Sequence, residues 1–291
     1  MDSRLKKHPF GFYEAIKKPS LLELKNYYAK KYFQESKSSY EENYSDEEIE
    51  FINNEILHVY EAMKKNSQVK RGNFLDVGCG EGYALAFFKN KGFNVRGLDF
   101  SSAGVESKNP KYIENLITGD LFELLNTEIK SKKKYEVIWL QNVLEHVIDP
   151  VNLMEKLHTL ISENGLIIIK TPNDFSKIQV EALDNGLIQD SYWVAFPDHL
   201  SYFDSQSLIS IAENTGWEVK DILGDFPVDW FLYNERSNYI NNPAVGKLAY
   251  KAKIQLTNLI SKNKIKDILE FRRAIVKIGS GRNITMLAKK K

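Results

Sequence analysis

At residues 73–82 the chain reads NFLDVGCGEG, an apolar run that breaks into alternating glycines before an apolar pattern resumes. Such a pattern predicts a buried strand, a tight glycine turn and the start of a helix. Glycine has no Cβ, so it adopts positive φ easily and lets the backbone come close to a ligand. We therefore expect a ligand site at this turn.

Two kinds of ligand are common at such a turn. A dinucleotide site has the spacing G-x-G-x-x-G and holds a pyrophosphate at the N-terminus of the following helix. This turn has the spacing G-x-G-x-G and carries two carboxylates, Asp76 and Glu81, which would repel a diphosphate. A ligand with a cationic end, such as an ammonium or a sulfonium group, fits these charges better.

The segment 75–82 resembles the first motif of the class I S-adenosylmethionine (SAM) dependent methyltransferases. Residues 94–101 resemble the family's second strand, which ends in an acidic residue that binds the ribose hydroxyls, here Asp99. Residues 118–121 resemble the third-strand motif, whose Asp faces the adenine amino group, and 141–147 are similar to the fourth-strand motif. The four motifs occur in order and at the expected distances, so the resemblance implies a SAM site.

The resemblance also implies which residues bind the cofactor. They are Asp76, Gly78, Gly80, Glu81, Asp99, Phe100, Asp120, Leu121, Gln141 and Asn142. For the carboxylates the alternative role is helix capping and turn hydrogen bonding. In the tyrosine-rich N-terminal segment, Tyr32, Tyr40 or Tyr44 could close over the cofactor, or these rings could simply pack on the main domain.

From residue 74 to 171 the sequence alternates strand and helix patterns. The predicted strands are 74–77, 93–98, 113–117, 135–140 and 166–170, and the predicted helices are 82–91, 102–107, 121–129 and 151–162. This alternation predicts an α/β fold whose parallel sheet carries helices on both faces. Ligands bind at the carboxyl ends of such strands, where all four motifs lie. With the resemblance, this predicts a Rossmann-like, seven-stranded methyltransferase sheet.

The flanking segments are predicted to be helical. Residues 1–70 are expected to form a helical N-terminal cap on a SAM-binding domain at 71–291, with sixth and seventh strands near 216–219 and 282–288. Between these strands, 225–280 is expected to be a helical insertion. Its first apolar stripe is Leu248, Ala252, Leu256 and Leu259, and its second is Ile265, Ile268, Leu269 and Ile275. The insertion could cover the substrate, pair two copies as a homodimer, or protect the sheet edge.

Composition excludes several other classes of protein. The 291 residues have a formal net charge of +1, so no general basic field favours nucleic acid. One cysteine excludes an internal disulfide framework and a multi-cysteine zinc site. No run approaches the roughly 18 apolar residues of a membrane span, and no signal-peptide core follows the first basic residues. We therefore expect a cytoplasmic protein that acts on a small molecule.

Methyl transfer needs an aligned nucleophile, and an alcohol acceptor also needs a group that takes its proton. Of the five histidines, His199 is the preferred base because it lies in an aromatic-rich connection beside Asp198, which could orient its ring. His146 follows the fourth strand and is the second candidate, and a reaction without a protein base is also open. Asp174, Asp198 and Asp225 form no convincing metal set, so a metal-independent reaction is expected.

Segments 27–32, 172–176 and 197–203 resemble a bacterial subgroup associated with surface-polysaccharide biosynthesis. This implies O-methylation of a sugar or of a substituent on it. The side chains expected to form its pocket are Asn173, Tyr192, Trp193, Phe196, Asp198 and Tyr202. A quinol or phenol would fit them nearly as well, and two other classes stay open: a catalytically silent SAM-binding protein and a nicotinamide oxidoreductase.

Overall fold

The computed structural model describes residues 2–20, 22–24, 27 and 43–291. The strands are β1 (Leu5–Lys7), β2 (Tyr13–Ala15), β3 (Asn73–Val77), β4 (Asn94–Asp99), β5 (Leu116–Thr118), β6 (Tyr135–Gln141), β7 (Ile161–Pro172), β8 (Ser201–Tyr202), β9 (Trp217–Gly224) and β10 (Asn283–Lys290). The helices are α1 (Asp46–Asn66), α2 (Tyr83–Asn90), α3 (Ala103–Lys108), α4 (Leu121–Lys130), α5 (Pro150–Leu160), α6 (Lys177–Asp184), α7 (Ser205–Asn214), α8 (Gly246–Ile260) and α9 (Ile265–Lys277).

Seven strands form the central sheet in the order β5-β4-β3-β6-β7-β10-β9. The pairs β4/β5, β3/β4, β3/β6 and β6/β7 are parallel, and β10 is antiparallel to both β7 and β9. The first five strands therefore direct their carboxyl ends to one edge of the sheet. This confirms the predicted α/β fold and the predicted seven-stranded sheet.

Each face of the sheet carries its own buried core. On one face, α1, α2 and α9 contribute Ile56, Phe88 and Leu269, which pack with strand residues such as Ile168. On the other face, α4, α5 and α7 pack against the alternate residues of the same strands, including Ile169. The central strands bury side chains on both faces of the sheet, and for this reason their sequences are continuous apolar runs. The predicted layers are confirmed.

The N-terminal segment differs from the predicted helical cap. Residues 5–7 and 13–15 are strands that form a hairpin, and β2 adds β8 to make a small antiparallel sheet. Gly11 has φ of 93° in the turn, where its amide donates to the carbonyl of His8. The helical prediction was wrong here because two three-residue strands are too short to show a period. Farther along, α1 is helical and begins with a capping box between Ser45 and Glu48.

The insertion between β9 and β10 contains the two expected helices, α8 and α9. The two helices differ in whether their apolar stripe faces the protein or the solvent. On α9, the predicted stripe is largely buried, since Ile268, Leu269 and Ile275 all pack inward. On α8, the predicted stripe points outward, because Leu248, Leu256 and Leu259 are all exposed. The two predicted helices are confirmed, and the apolar stripe of α8 faces solvent whereas that of α9 is buried.

Among the described residues, no helix combines the length and apolar composition that crossing a bilayer requires. The division of the chain into a cap up to residue 70 and a domain from residue 71 stays a prediction. In the structure the two segments share a core, because Ile56 and Val59 of α1 pack against the sheet.

Candidate functional site

The glycine turn after β3 has the conformation that its sequence predicts. Gly78, Gly80 and Gly82 have φ values of 72°, 52° and 76°. A Cβ on Gly78 would lie 2.4 Å from Cγ2 of Val143, so a larger residue would meet the segment after β6. The amide of Gly78 donates to the carbonyl of Leu98 at 2.7 Å, which fixes the turn beside β4.

Asp99 ends β4 and connects the glycine turn to the loop that follows. Its Oδ2 accepts from the amide of Gly80 at 2.8 Å, and its Oδ1 accepts from the amide of Ser101 at 3.1 Å. Each carboxylate oxygen has a further acceptor site, so Asp99 can still take hydroxyl groups. Gly104 packs directly against the glycine turn. A Cβ at this position would lie 2.4 Å from the carbonyl oxygen of Gly80.

Burial disfavours the charged form of the carboxyl groups at this edge of the sheet. Burial, and then Asp99, raises the pKa of Asp76. Burial also raises the pKa of Asp99 and that of Glu81, although backbone amides oppose the shift at Asp99 and Tyr44 and Lys108 oppose it at Glu81. Acids whose charged form is disfavoured in this way gain from a bound cation. The site is therefore suited to a ligand that carries positive charge.

One cavity of about 730 Å³ connects these groups. Every predicted cofactor residue within the described ranges lines it: Asp76, Gly78, Gly80, Glu81, Asp99, Phe100, Asp120, Leu121, Gln141 and Asn142. Asp120 also caps α4, since its Oδ1 accepts from the amides of Phe122 and Glu123 at 3.0 and 3.1 Å. The capping role that the sequence left open is thus present at Asp120, together with its place in the cavity wall.

Tyr44 covers part of this cavity from the N-terminal side. Its hydroxyl donates to Oε2 of Glu81 at 3.0 Å. Burial and the charge of Glu81 both raise the pKa of Tyr44, so the phenol stays protonated and keeps this bond. Of the three tyrosines proposed as a cover, Tyr44 lines the cavity, whereas Tyr32 and Tyr40 lie outside the described residues.

Both candidate catalytic histidines line the same cavity. The rings of His146 and His199 meet edge to face, with centroids 4.8 Å apart. Nδ1 of His146 lies 2.8 Å from the backbone carbonyl oxygen of Asp198. A carbonyl oxygen only accepts, so Nδ1 of the neutral ring carries the proton and Nε2 keeps its lone pair.

The buried carboxylate of Glu145 lies next to this pair. Its Oε1 is 3.9 Å from Nε2 of His146, and its Oε2 accepts from the hydroxyl of Thr171 at 3.2 Å. One ligand atom from each of Glu145, His146 and His199 lies within 4.8 Å of the others, which is a possible arrangement for a cation. The sequence did not identify this set, because Glu145 was seen only as part of a motif. Metal independence stays a prediction.

A second group of charges supports the cavity behind β7. Glu55 of α1 accepts from Arg272 at 2.9 and 3.2 Å and from Lys170 at 3.2 Å. Glu55 and Lys170 both line the cavity, and Lys170 is the only lysine or arginine among its described lining residues. Sequence reasoning missed both, although a glutamate in the apolar stripe of α1 and a lysine ending an apolar strand are visible signals.

A sequence profile described as a methyltransferase domain matches residues 49–222, more than half of the chain. The chain belongs to the SAM-dependent methyltransferase family. The ubiquinone biosynthesis O-methyltransferase of Rickettsia canadensis is 26% identical over 210 residues, covering 66% of this chain and 85% of the relative. Its namesake from Pelagibacter ubique is 26% identical over 205 residues, covering 68% and 85%.

The fold comparison agrees with this family. A SAM-dependent methyltransferase from Archaeoglobus fulgidus superposes with a TM-score of 0.51 at 19% identity. The superposition covers 81% of this methyltransferase and 94% of the other chain. At that identity the likeness shows a shared fold.

The cofactor of this methyltransferase is SAM, and the observed cavity fits it. The turn formed by Gly78, Gly80 and Gly82 leaves backbone room at the end of β3. Asp99 would hold the ribose hydroxyls and Asp120 would face the adenine, as the family resemblance implies. The acidic groups around the turn, including Asp76 and Glu81, suit the positive charge of a sulfonium and an ammonium.

The residues predicted to bind a sugar are placed differently from expectation. Trp193 is buried in a separate core with Ala182, Ile188 and Leu232. Tyr202 and Asn173 are also buried, and their side chains hydrogen-bond to the backbone carbonyls of His199 and Gly281. The predicted sugar pocket was wrong in this respect, since Asp198 is its only member that lines the described cavity. Aromatic residues in a long connection were mistaken for a pocket wall.

Proposed function

We propose that this methyltransferase transfers the methyl group of SAM to an aromatic hydroxyl, as in a phenol or a quinol. The observation that supports this most is that the cavity containing the histidine pair has many apolar side chains in its lining. Phe51, Ile52 and Ile56 of α1 line the cavity, with Val147 and Ile148 from the segment after β6. An aromatic ring can bury its faces on these apolar side chains, whereas each of the many hydroxyl groups of a sugar would need a polar partner.

The curated relatives agree with this choice of acceptor. Both relatives described above carry the name ubiquinone biosynthesis O-methyltransferase. That name supports transfer to oxygen and favours a quinol over the sugar that the resemblance to a polysaccharide-associated subgroup suggested. A sugar is therefore the alternative acceptor, and the acceptor screen described below includes sugars as a second set.

In the proposed mechanism His146 takes the proton of the acceptor through Nε2. The carbonyl of Asp198 holds Nδ1–H and so aims the ring, and the carboxyl of Glu145 lies where it can stabilise the imidazolium that forms. His199 meets this ring edge to face and would position the acceptor or share the proton. Bound SAM supplies an electrophilic methyl group on a sulfonium.

The acidity of the acceptor fits a histidine base. A phenol has a pKa of about 10, whereas histidine has a pKa of about 6.5, so the proton transfer is only moderately uphill in water. An aliphatic sugar hydroxyl is far less acidic and would need a stronger base or a metal ion. A phenol or quinol is therefore the acceptor whose proton the histidine pair can remove most easily.

An acceptor screen with radiolabelled SAM tests the proposal. Catechols and short-chain quinols form one set, and nucleotide sugars and glycan fragments form the other. We expect labelled product from the first set, both with and without a chelator. Transfer only to sugars would contradict the proposed acceptor, and SAM binding without transfer to any compound would identify a catalytically silent protein.

A further inference from the structure

The amphipathic helix α8 presents its more apolar side to solvent. Leu248 is 65% exposed, Leu259 is 59% exposed and Leu256 is 38% exposed. With Ala252 they form one stripe, because residues at intervals of three and four share a face of a helix. We call this stripe the outer face of α8. Solvent-exposed leucines grouped in this way indicate a surface that binds another protein or a membrane.

The inner side of α8 combines polar and apolar side chains. Asn258 and Thr257 are buried there with Ala249 and Ile254. The side chain of Asn258 accepts from Asn54 at 3.0 Å and donates to the carbonyl of Glu47 at 2.9 Å. The helix is thus held on α1 in a specific register by hydrogen bonds. The outward direction of the leucines is therefore set by the fold.

The stretch of sequence that contains the outer face has positively charged side chains and no negatively charged ones. From residue 236 to 266 the sequence has seven lysines and arginines and no aspartate or glutamate. Lys253 turns inward and pairs with Asp225, whereas Lys247, Lys251, Lys262 and Lys264 are exposed. None of these four exposed lysines forms an ion pair with a described residue. Since the whole chain has a net charge of only +1, this positive charge is a local feature.

We propose that the outer face of α8 docks on the surface of a lipid bilayer that contains anionic lipids. A helix with leucines on one side and lysines beside them lies in the interface, with the leucines among the acyl chains and the lysines at the headgroups. The neighbouring 3₁₀ turn, Val228–Tyr233, exposes Trp230 and Tyr233, two residue types that favour this interface. This docking is independent of which acceptor the methyltransferase uses.

Charge argues against two other occupants. In a symmetric dimer formed through this face, both copies would bring lysines to the interface, and the segment 236–266 has no acidic side chain to pair with them. A nucleic acid would satisfy the lysines but would leave the exposed leucines without an apolar partner. An anionic bilayer satisfies both kinds of side chain.

Co-sedimentation of the full chain with vesicles tests the proposal. One set of vesicles contains phosphatidylcholine alone, and the other contains phosphatidylcholine mixed with phosphatidylglycerol. We expect binding to the mixed vesicles that weakens with added salt. The triple variant Lys247→Glu, Lys251→Glu, Lys262→Glu should lower the partition coefficient about a hundredfold or more. The double variant Leu248→Gln, Leu259→Gln should lower it about tenfold or more, because two buried leucines are lost.

Matched variants elsewhere serve as controls. Lys70→Glu, Lys111→Glu, Lys132→Glu makes the same change of charge at exposed lysines outside the insertion, and Ile16→Gln changes an exposed apolar residue of the hairpin. These controls should bind vesicles as the wild type does, and all variants should keep their circular dichroism spectrum.

Three results would overturn the proposal. The first is no binding of the wild type to mixed vesicles at low salt. The second is an equal loss of binding in the control variants. The third is a different occupant: a dimer in light scattering that the leucine variant dissociates, or oligonucleotide binding that the lysine variant abolishes and the leucine variant leaves intact, in either case without vesicle binding.

Discussion

Different kinds of contact hold the two ends of the cavity. We call the part around the glycine turn and Asp99 the cofactor end, and the part around His146 and His199 the acceptor end. At the cofactor end, Asp99 accepts from the amides of Gly80 and Ser101, so short backbone contacts define the site. At the acceptor end, the carbonyl of Asp198 holds His146 across 52 positions of sequence, and Glu55 meets Arg272 across 217. The contacts around the glycine turn join residues 2 and 19 positions apart, whereas those around the histidine pair depend on segments much farther apart in sequence.

The largest expected effect concerns turnover at the acceptor end. His146→Ala removes the proposed base and should lower kcat by a factor of about 10² to 10⁴, while SAM affinity stays unchanged. His199→Ala should lower kcat less if it only positions the acceptor. Initial rates and SAM titrations measure both quantities. Unchanged turnover in both variants would leave the reaction without a protein base.

Removing a buried ion pair should strongly destabilise the fold behind the acceptor end. Arg272→Met leaves Glu55 with Lys170 as its cationic contact, and breaking such a pair costs about 3 to 5 kcal/mol. Urea unfolding measures this loss. The variant Arg4→Met is the control, because Arg4 is exposed and pairs with Asp2 at the surface. Exposed pairs contribute about 0 to 1 kcal/mol, so equal losses would refute the buried role of Arg272.

At the cofactor end, a single methyl group should disturb the turn. Gly104→Ala puts a Cβ 2.4 Å from the carbonyl oxygen of Gly80. We expect SAM affinity to fall by a factor of about 10 to 100, the equivalent of roughly 1 to 3 kcal/mol of overpacking. Gly246→Ala is the matched control, since nothing lies within 4 Å of its Cβ. A normal SAM affinity in Gly104→Ala would show that the cofactor does not depend on this turn.

The smallest expected effect is the pH dependence of SAM binding. Burial raises the pKa values of Asp76 and Asp99, and a bound cation favours their ionised forms. As the pH falls, protonation of these groups should weaken SAM binding by at most about tenfold per pH unit for each coupled proton. Titration calorimetry in buffers of different ionisation enthalpy should detect protons released on binding. An affinity that rises as the pH falls would contradict this assignment.

The same contrast explains which features the sequence predicts. The glycine turn, Asp99 and Asp120 are each found within a few residues of a strand end, and strand ends follow from local patterns. The predicted bounds of β3, β4 and β6 lie within one residue of the observed bounds for the same reason. Local sequence is sufficient wherever the contacts that matter are local.

Long-range contacts account for the errors. The hairpin at residues 5–15 is completed by β8, which has only two residues and lies far away in sequence. On α8 the period correctly shows that Leu248, Leu256 and Leu259 share a face, but it does not say whether that face is buried. Trp193 has its own core with Leu232, which no pattern within the connection reveals.

A titration of SAM into the wild type and into Asp99→Asn tests the central claim most directly, with NAD⁺ titrated in parallel. We expect that SAM binds the wild type and that NAD⁺ does not bind. Asp99→Asn should weaken SAM binding by about 1.5 to 3 kcal/mol, because a charge-assisted hydrogen bond is lost. Equal SAM affinity in the two proteins would remove Asp99 from the site. Binding of NAD⁺ in place of SAM would contradict the account as a whole.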